Sequence, residues 1–122
     1  MNKGRPSDDL AKTFQVLGDP TRLAVFALLM QGVQCNCELG GKLGLPMNLI
    51  SHHLKVLRDA GLVDAERDAI DARWVYYSIN TGALTQLHDQ LSAFLDPGRV
   101  VPRLPTCGPR IAPVETMRVA RR

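Results

Sequence analysis

Between residues 36 and 79 the spacing of apolar residues changes once, and that change constrains the fold more than any other feature of the chain. Up to Gly61 they recur at helical three- and four-residue intervals, whereas 62-LVDAERDAIDARWVYYSI-79 has β-branched and aromatic residues at its ends and a polar middle. A short helix over about 36–43, a turn at Gly44 and a longer helix over about 46–60, begun by Pro46 and stopped by Gly61, make a helix-turn-helix. The following segment reads as one strand from Leu62-Val63 and a second over Trp74 to Ile79, joined by the polar 66–72 stretch. The expected fold is mainly α with a small β-hairpin, a winged helix-turn-helix.

Two helices precede this unit and one follows it. Residues 8–17 carry Asp8 and Asp9 at the N-terminal end and Leu10, Phe14 and Leu17 at helical spacing. In 19-DPTRLAVFALLMQG-32, Asp19 can cap, Pro20 suits the first helical position, and Leu23, Phe26, Ala27 and Met30 are the expected buried stripe. The last helix, 83-ALTQLHDQLSAFL-95, lines up Leu84, Leu87, Leu91 and Phe94 or Leu95, an apolar stripe that needs a partner; a second copy of the chain is the expected one. Prolines at 97, 102, 105, 109 and 113 then preclude regular structure. Residues 1–96 therefore read as a DNA-binding and dimerisation domain, and 97–122 as a Pro/Arg-rich flexible tail that carries Cys107.

The length of 122 residues and 45% hydrophobic content suit one domain with its own core. No run reaches the roughly 18 apolar residues of a membrane span, and MNKGRPSDDL lacks a signal-peptide core, so a cytoplasmic protein with no membrane partner is expected. The net charge of +3 says little about the folded part, because six arginines lie beyond residue 96 against the single carboxylate Glu115. A nucleic-acid surface must be argued from local placement.

The helix in 46-PMNLISHHLKVLRDAG-61 supplies that placement. Ile50, Leu54 and Leu57 should face the core with His53 turned inward, leaving Met47, Asn48, Ser51, His52, Lys55 and Arg58 on or near the outward side. Asn, Ser and His near the start of such a helix can contact base edges and phosphates of double-stranded DNA, Met47 offers apolar contact, and Lys55 and Arg58 suit phosphate. In the wing, Arg73 is a further phosphate candidate beside Arg67, among the acidic Glu66, Asp68 and Asp71.

Three cysteines, two of them one residue apart in 35-CNCEL-39, argue for ligation or redox sensing rather than a disulfide framework. Thiolates select thiophilic ions. On an α-helix, residues two apart are rotated by roughly 200°, so Cys35 and Cys37 can share one ion only where residues 35–37 are not helical. A helix beginning at or before Cys35 would have to unwind its first turn. Cys107 is the candidate third sulfur, whereas His88 stands alone on the last helix. The rival reading is a DNA-binding thiol redox or persulfide sensor. An enzyme is not expected, since the pair lies between helices with no adjacent base.

The segments 17-LGDPTRLAVFALL-29, 35-CNCEL-39, 51-SHHLKVLRDAGLV-63 and 73-RWVYYSI-79 together resemble the ArsR/SmtB family of metal-responsive transcriptional repressors. The resemblance spans about residues 10–95 and implies a winged-helix homodimer, built through its first and last helices, that leaves a palindromic operator when an inducer binds. The cysteine pair is similar to the arsenic-responsive branch, whose motif is Cys-x-Cys-Asp-Leu-Cys. Cys35 and Cys37 match its first two cysteines, Glu38-Leu39 resembles its Asp-Leu, and Gly40 stands where the third cysteine would be. The implied inducer is trivalent arsenic or antimony. Inorganic arsenite would need a third sulfur, such as Cys107 from either chain, while a methylated or aromatic arsenical would need only two.

Overall fold

Helix ends in this chain are set by residues that satisfy orphan backbone groups. In the computed structural model, which describes residues 7–103 and 107–108, α1 spans Asp8–Leu17 and Ser7 Oγ accepts from Leu10 N at its start. Helix α2 spans Pro20–Leu29; Asp19 Oδ1 accepts from the backbone N–H of Thr21 and Arg22, and Pro20 takes the first position, where no N–H is needed. Next come the two-residue strand β1 (Gln34–Cys35), α3 (Asn36–Leu43) and α4 (Met47–Asp59). Gly44 ends α3 with φ 65°, a left-handed conformation that costs glycine least, and this lets the chain reverse into α4.

After Gly61 the chain enters β2 (Val63–Arg67) and β3 (Val75–Ile79), then α5 (Thr81–Phe94), whose first turn is capped by Asn80 Oδ1 accepting from Ala83 N. The sheet order is β1-β3-β2, all antiparallel, with Val63 opposite Ile79 and Arg67 opposite Val75 in the hairpin. The architecture is the expected winged helix-turn-helix with one strand added. A strand of two residues is too short to show alternation, so β1 is invisible in the sequence; it exists because Gln34 and Cys35 pair with Tyr77 and Tyr76.

The core joins Val25, Phe26 and Leu29 of α2, Leu39 of α3, and Ile50, Leu54 and Leu57 of α4 to Leu62, Val63 and Tyr77 of the wing base. The inward face of α4 is the one its spacing predicts. That of α2 is not. Phe26 is buried as expected, but Leu23 and Met30 are 52% and 53% exposed and Ala27 is exposed, while Val25 and Leu29 take the core positions. The stretch LAVFALL is apolar on every side, so its periodicity selects no face, and contact with α4 decides. On α1 and α5, Phe14, Phe94 and Leu95 stay exposed. A short 3-10 turn, Pro97–Arg99, follows α5; most of the predicted tail lies outside the described residues.

Candidate DNA interface and thiol site

Met47, Asn48, Ser51, His52, Lys55 and Arg58 are all solvent-exposed on α4, opposite its buried Ile50, Leu54 and Leu57. Lys55 Nζ lies 2.9 Å from Asp59 Oδ2, an exposed pair of adjacent turns that a phosphate can displace at little cost. Arg73 differs. Its Nε and Nη2 bind the two carboxylate oxygens of Asp71 at 2.9 and 2.7 Å, and this bidentate clasp holds the Asp71 carboxyl below the usual carboxylate range. Its side chain is nonetheless 88% exposed, so the guanidinium stays at the surface of the wing.

His53 is 6% exposed beneath this face, with its ring 5.4 Å from that of His52, and burial pushes its pKa below the usual imidazole value. Its inward orientation matches the sequence reading, but Nδ1 has no hydrogen-bond partner.

The cysteine pair sits where β1 hands over to α3. Cys35 is the N-cap residue, extended at φ −85° and ψ 164°, and Cys37 belongs to the first turn of α3. Asn36 and Cys37 are thus helical, against the expectation that all of residues 35–37 be non-helical; an extended Cys35 at the N-cap is enough to swing its side chain over the first turn, and the two Sγ atoms lie 2.9 Å apart with the helix intact. That exceeds the roughly 2.05 Å of a disulfide, and both are free thiols. Two sulfurs bound to one ion through bonds of about 2.3 Å stand up to roughly 3.7 Å apart at a tetrahedral centre, so less than about 1 Å of opening separates the pair from a chelating geometry.

Neighbouring residues hold Cys35 in place. Its N–H donates to Glu38 Oε1 at 2.8 Å, an interaction that lowers the Glu38 pKa and does what a capping-box acid does. Gln34 is buried beside it, its Nε2 donating to Leu28 O at 2.7 Å and its Oε1 accepting from Lys42 Nζ at 2.8 Å. Nothing in the sequence marks Gln34 as a positioning residue; an amide between apolar residues reads as loop. Cys35 is 3% exposed, and burial followed by the contact with Cys37 pushes its thiol pKa up, whereas Cys37 is exposed.

Cys107 is exposed, its carbonyl accepting from the Arg103 guanidinium, and among the described residues no group of three or more Cys, His, Asp or Glu side chains is placed to hold an ion. The chain itself thus brings two of its three cysteines together. The place of a third on α3 is filled: a Cβ on Gly40 would lie 3.1 Å from Leu45 O and 3.6 Å from Met47 Sδ, close against the start of α4.

A family model described as "Bacterial regulatory protein, arsR family" matches residues 19–65, from the cap of α2 into β2. An HTH-type transcriptional regulator of Methanocaldococcus jannaschii is 40% identical over 70 residues, 57% of this chain and 75% of that one. The chain belongs to the ArsR family. It is a DNA-binding transcriptional repressor of that family and not an enzyme. A cadmium resistance regulatory protein CadC homolog of Staphylococcus aureus is 31% identical over 88 residues, 71% of this chain and 69% of that one. Among solved structures, a possible transcriptional regulator for arsenical resistance superposes with a TM-score of 0.61 at 32% identity, over 75% of this chain and 88% of that one. No helix among the described residues is long and apolar enough to cross a membrane.

Proposed function

We propose that this ArsR-family repressor is a homodimer that occupies operator DNA through Met47, Asn48, Ser51, His52, Lys55 and Arg58 and releases it when Cys35 and Cys37 capture trivalent arsenic or antimony. The observation that carries the reading is the 2.9 Å approach of the two sulfurs at the mouth of α3. Relatives differ in the inducers their names give, so the choice among inducers rests on the chemistry of this pair.

That chemistry favours arsenic over a divalent cation. A cation must displace the proton of each thiol it binds, and burial makes the Cys35 proton hard to remove. A trivalent arsenical arrives as a hydroxide: each As–S bond forms as an As–OH bond breaks, and the thiol proton leaves in water. The buried thiol thus carries no comparable handicap toward arsenic. Two sulfurs with the α3 position at Gly40 closed by α4 suit an arsenical that already bears one carbon. Inorganic arsenite needs a further sulfur, for which Cys107 in the tail of either chain is the candidate.

Contacts from the pair to the DNA-facing parts supply the coupling. Asn36, between the cysteines, has Nδ2 3.5 Å from Ser51 Oγ on α4, and Cys35 pairs with Tyr76 in the wing. Differential binding of about 1–3 kcal/mol between the two conformations is enough to weaken DNA affinity roughly 5- to 150-fold. Phe14 on α1, Phe94 on α5 and Leu95 at the end of α5 are exposed apolar residues that a second chain would cover.

A thiol switch on the same pair is less well supported, because thiolate is the species oxidants attack and burial keeps Cys35 a thiol. The test is X-ray absorption at the arsenic edge of the reduced protein loaded with methylated trivalent arsenic. Two sulfur neighbours per arsenic are expected; light-atom neighbours only would remove the thiolate site.

A further inference from the structure

Asn36 joins the thiol pair to the reading helix. It stands between Cys35 and Cys37 in the chain, is the first residue of α3, and is half-buried where α3 packs on α4. Its Nδ2 donates to Ser51 Oγ at 3.5 Å, and among the described residues this is the one hydrogen bond from residues 35–37 to α4. On the N-terminal side the chain is fixed: Cys35 pairs with Tyr76 of β3, and its N–H is held by Glu38. An increase in sulfur separation from 2.9 Å toward the roughly 3.7 Å of a tetrahedral centre therefore falls on the first turn of α3, which carries Asn36 and Cys37.

We propose that Asn36 is the positioning residue through which the thiol pair sets the DNA-binding state of Ser51. The proposal rests on the reading of Cys35 and Cys37 as the inducer site and names how that site is coupled to DNA. A serine hydroxyl has one proton and two lone pairs. With the Asn36 amide on one lone pair, the Ser51 proton is left to point outward as a donor to a phosphate oxygen or a base acceptor. Without that amide the hydroxyl can turn to the carbonyl one helical turn back, that of Met47, and the donor is lost to DNA. At 3.5 Å the contact is already at the outer limit of hydrogen bonding, so a small displacement of the start of α3 breaks it. Capture of the inducer thus removes a donor from the DNA-facing surface without requiring α4 to move as a body.

The experiment is a double-mutant cycle on DNA affinity, read by fluorescence anisotropy of a labelled duplex from the region upstream of the gene. Reduced full-length wild type, Asn36→Ala, Ser51→Ala and the double variant are each measured with and without methylated trivalent arsenic. Neither substitution removes a cap or a core contact, since Cys35 is the N-cap of α3 and Ser51 is exposed on α4, so far-UV circular dichroism should be unchanged. Without arsenical each single variant is expected to bind about threefold to tenfold more weakly, the range of one hydrogen bond, and the double variant no more weakly than Ser51→Ala. Asn36→Ala should take up the arsenical with wild-type affinity in isothermal titration, yet the loss of DNA affinity that follows should be smaller than in wild type by about the same threefold to tenfold. Ser51→Ala should show the same reduced release, which repeats the test at a second position. Additive losses in the cycle, or release from Asn36→Ala equal to that from wild type, overturn the inference. Wild type that keeps its DNA with the arsenical bound overturns instead the reading of the inducer site, and the cycle without arsenical still decides whether Asn36 positions Ser51.

Discussion

Replacing Cys35 with serine should cut the affinity for a monosubstituted trivalent arsenical by about 100-fold or more while operator affinity stays within about twofold of wild type. Serine is smaller than cysteine and is itself a favoured N-cap, so the extended conformation that starts α3 is retained. The N–H of residue 35 still reaches the Glu38 carboxylate, since that contact uses no side-chain atom of residue 35. What disappears is the second sulfur, and with it the intramolecular closure that turns a weak single thiolate contact into a chelate. Isothermal titration of the reduced variant measures the first quantity and anisotropy on upstream DNA the second. A Cys35→Ser protein that still binds the arsenical as tightly as wild type would falsify the two-sulfur site.

The second large effect is a contrast in pH dependence. Between pH 6 and 8 the Cys35 thiol remains protonated, because its pKa is raised above the ordinary 9.0 by burial and by Cys37. A divalent cation such as cadmium must release that proton, so its apparent affinity should rise at least tenfold per pH unit, about 100-fold across the range. A trivalent arsenical hydroxide carries the thiol proton away as water, and its affinity should be flat within about threefold over the same range. The sign follows from the direction of the shift. A thiol pKa depressed below neutrality would make the cation's affinity level off near pH 7 instead of climbing. Titrations of both ligands at three pH values distinguish these cases, and an arsenical affinity that climbs with the cation's would show that the proton balance assigned to the site is wrong.

The reading helix was legible from spacing because α4 is sharply two-faced: three apolar residues at helical intervals alternate with short polar ones, and burial follows that pattern. The buried face of α2 was not legible, because a helix apolar on all sides lets its neighbours choose the orientation. The cysteine pair was legible as a pair, but the expectation that all of residues 35–37 be non-helical was too strict, since only Cys35 lies outside α3. The extended Cys35 was not legible, because it depends on β1, whose two residues are held by pairing with the wing some 40 residues later in the chain. The bidentate contact of Arg73 with Asp71 was not legible either, because it is a property of the folded loop.

The most direct test of the account is fluorescence anisotropy of labelled DNA from the gene's own upstream region, with reduced wild-type protein titrated by methylated trivalent arsenic. The account predicts that bound DNA is released near one equivalent of arsenical per Cys35–Cys37 pair; DNA that stays bound at several equivalents would contradict it and leave the thiol-switch reading in first place.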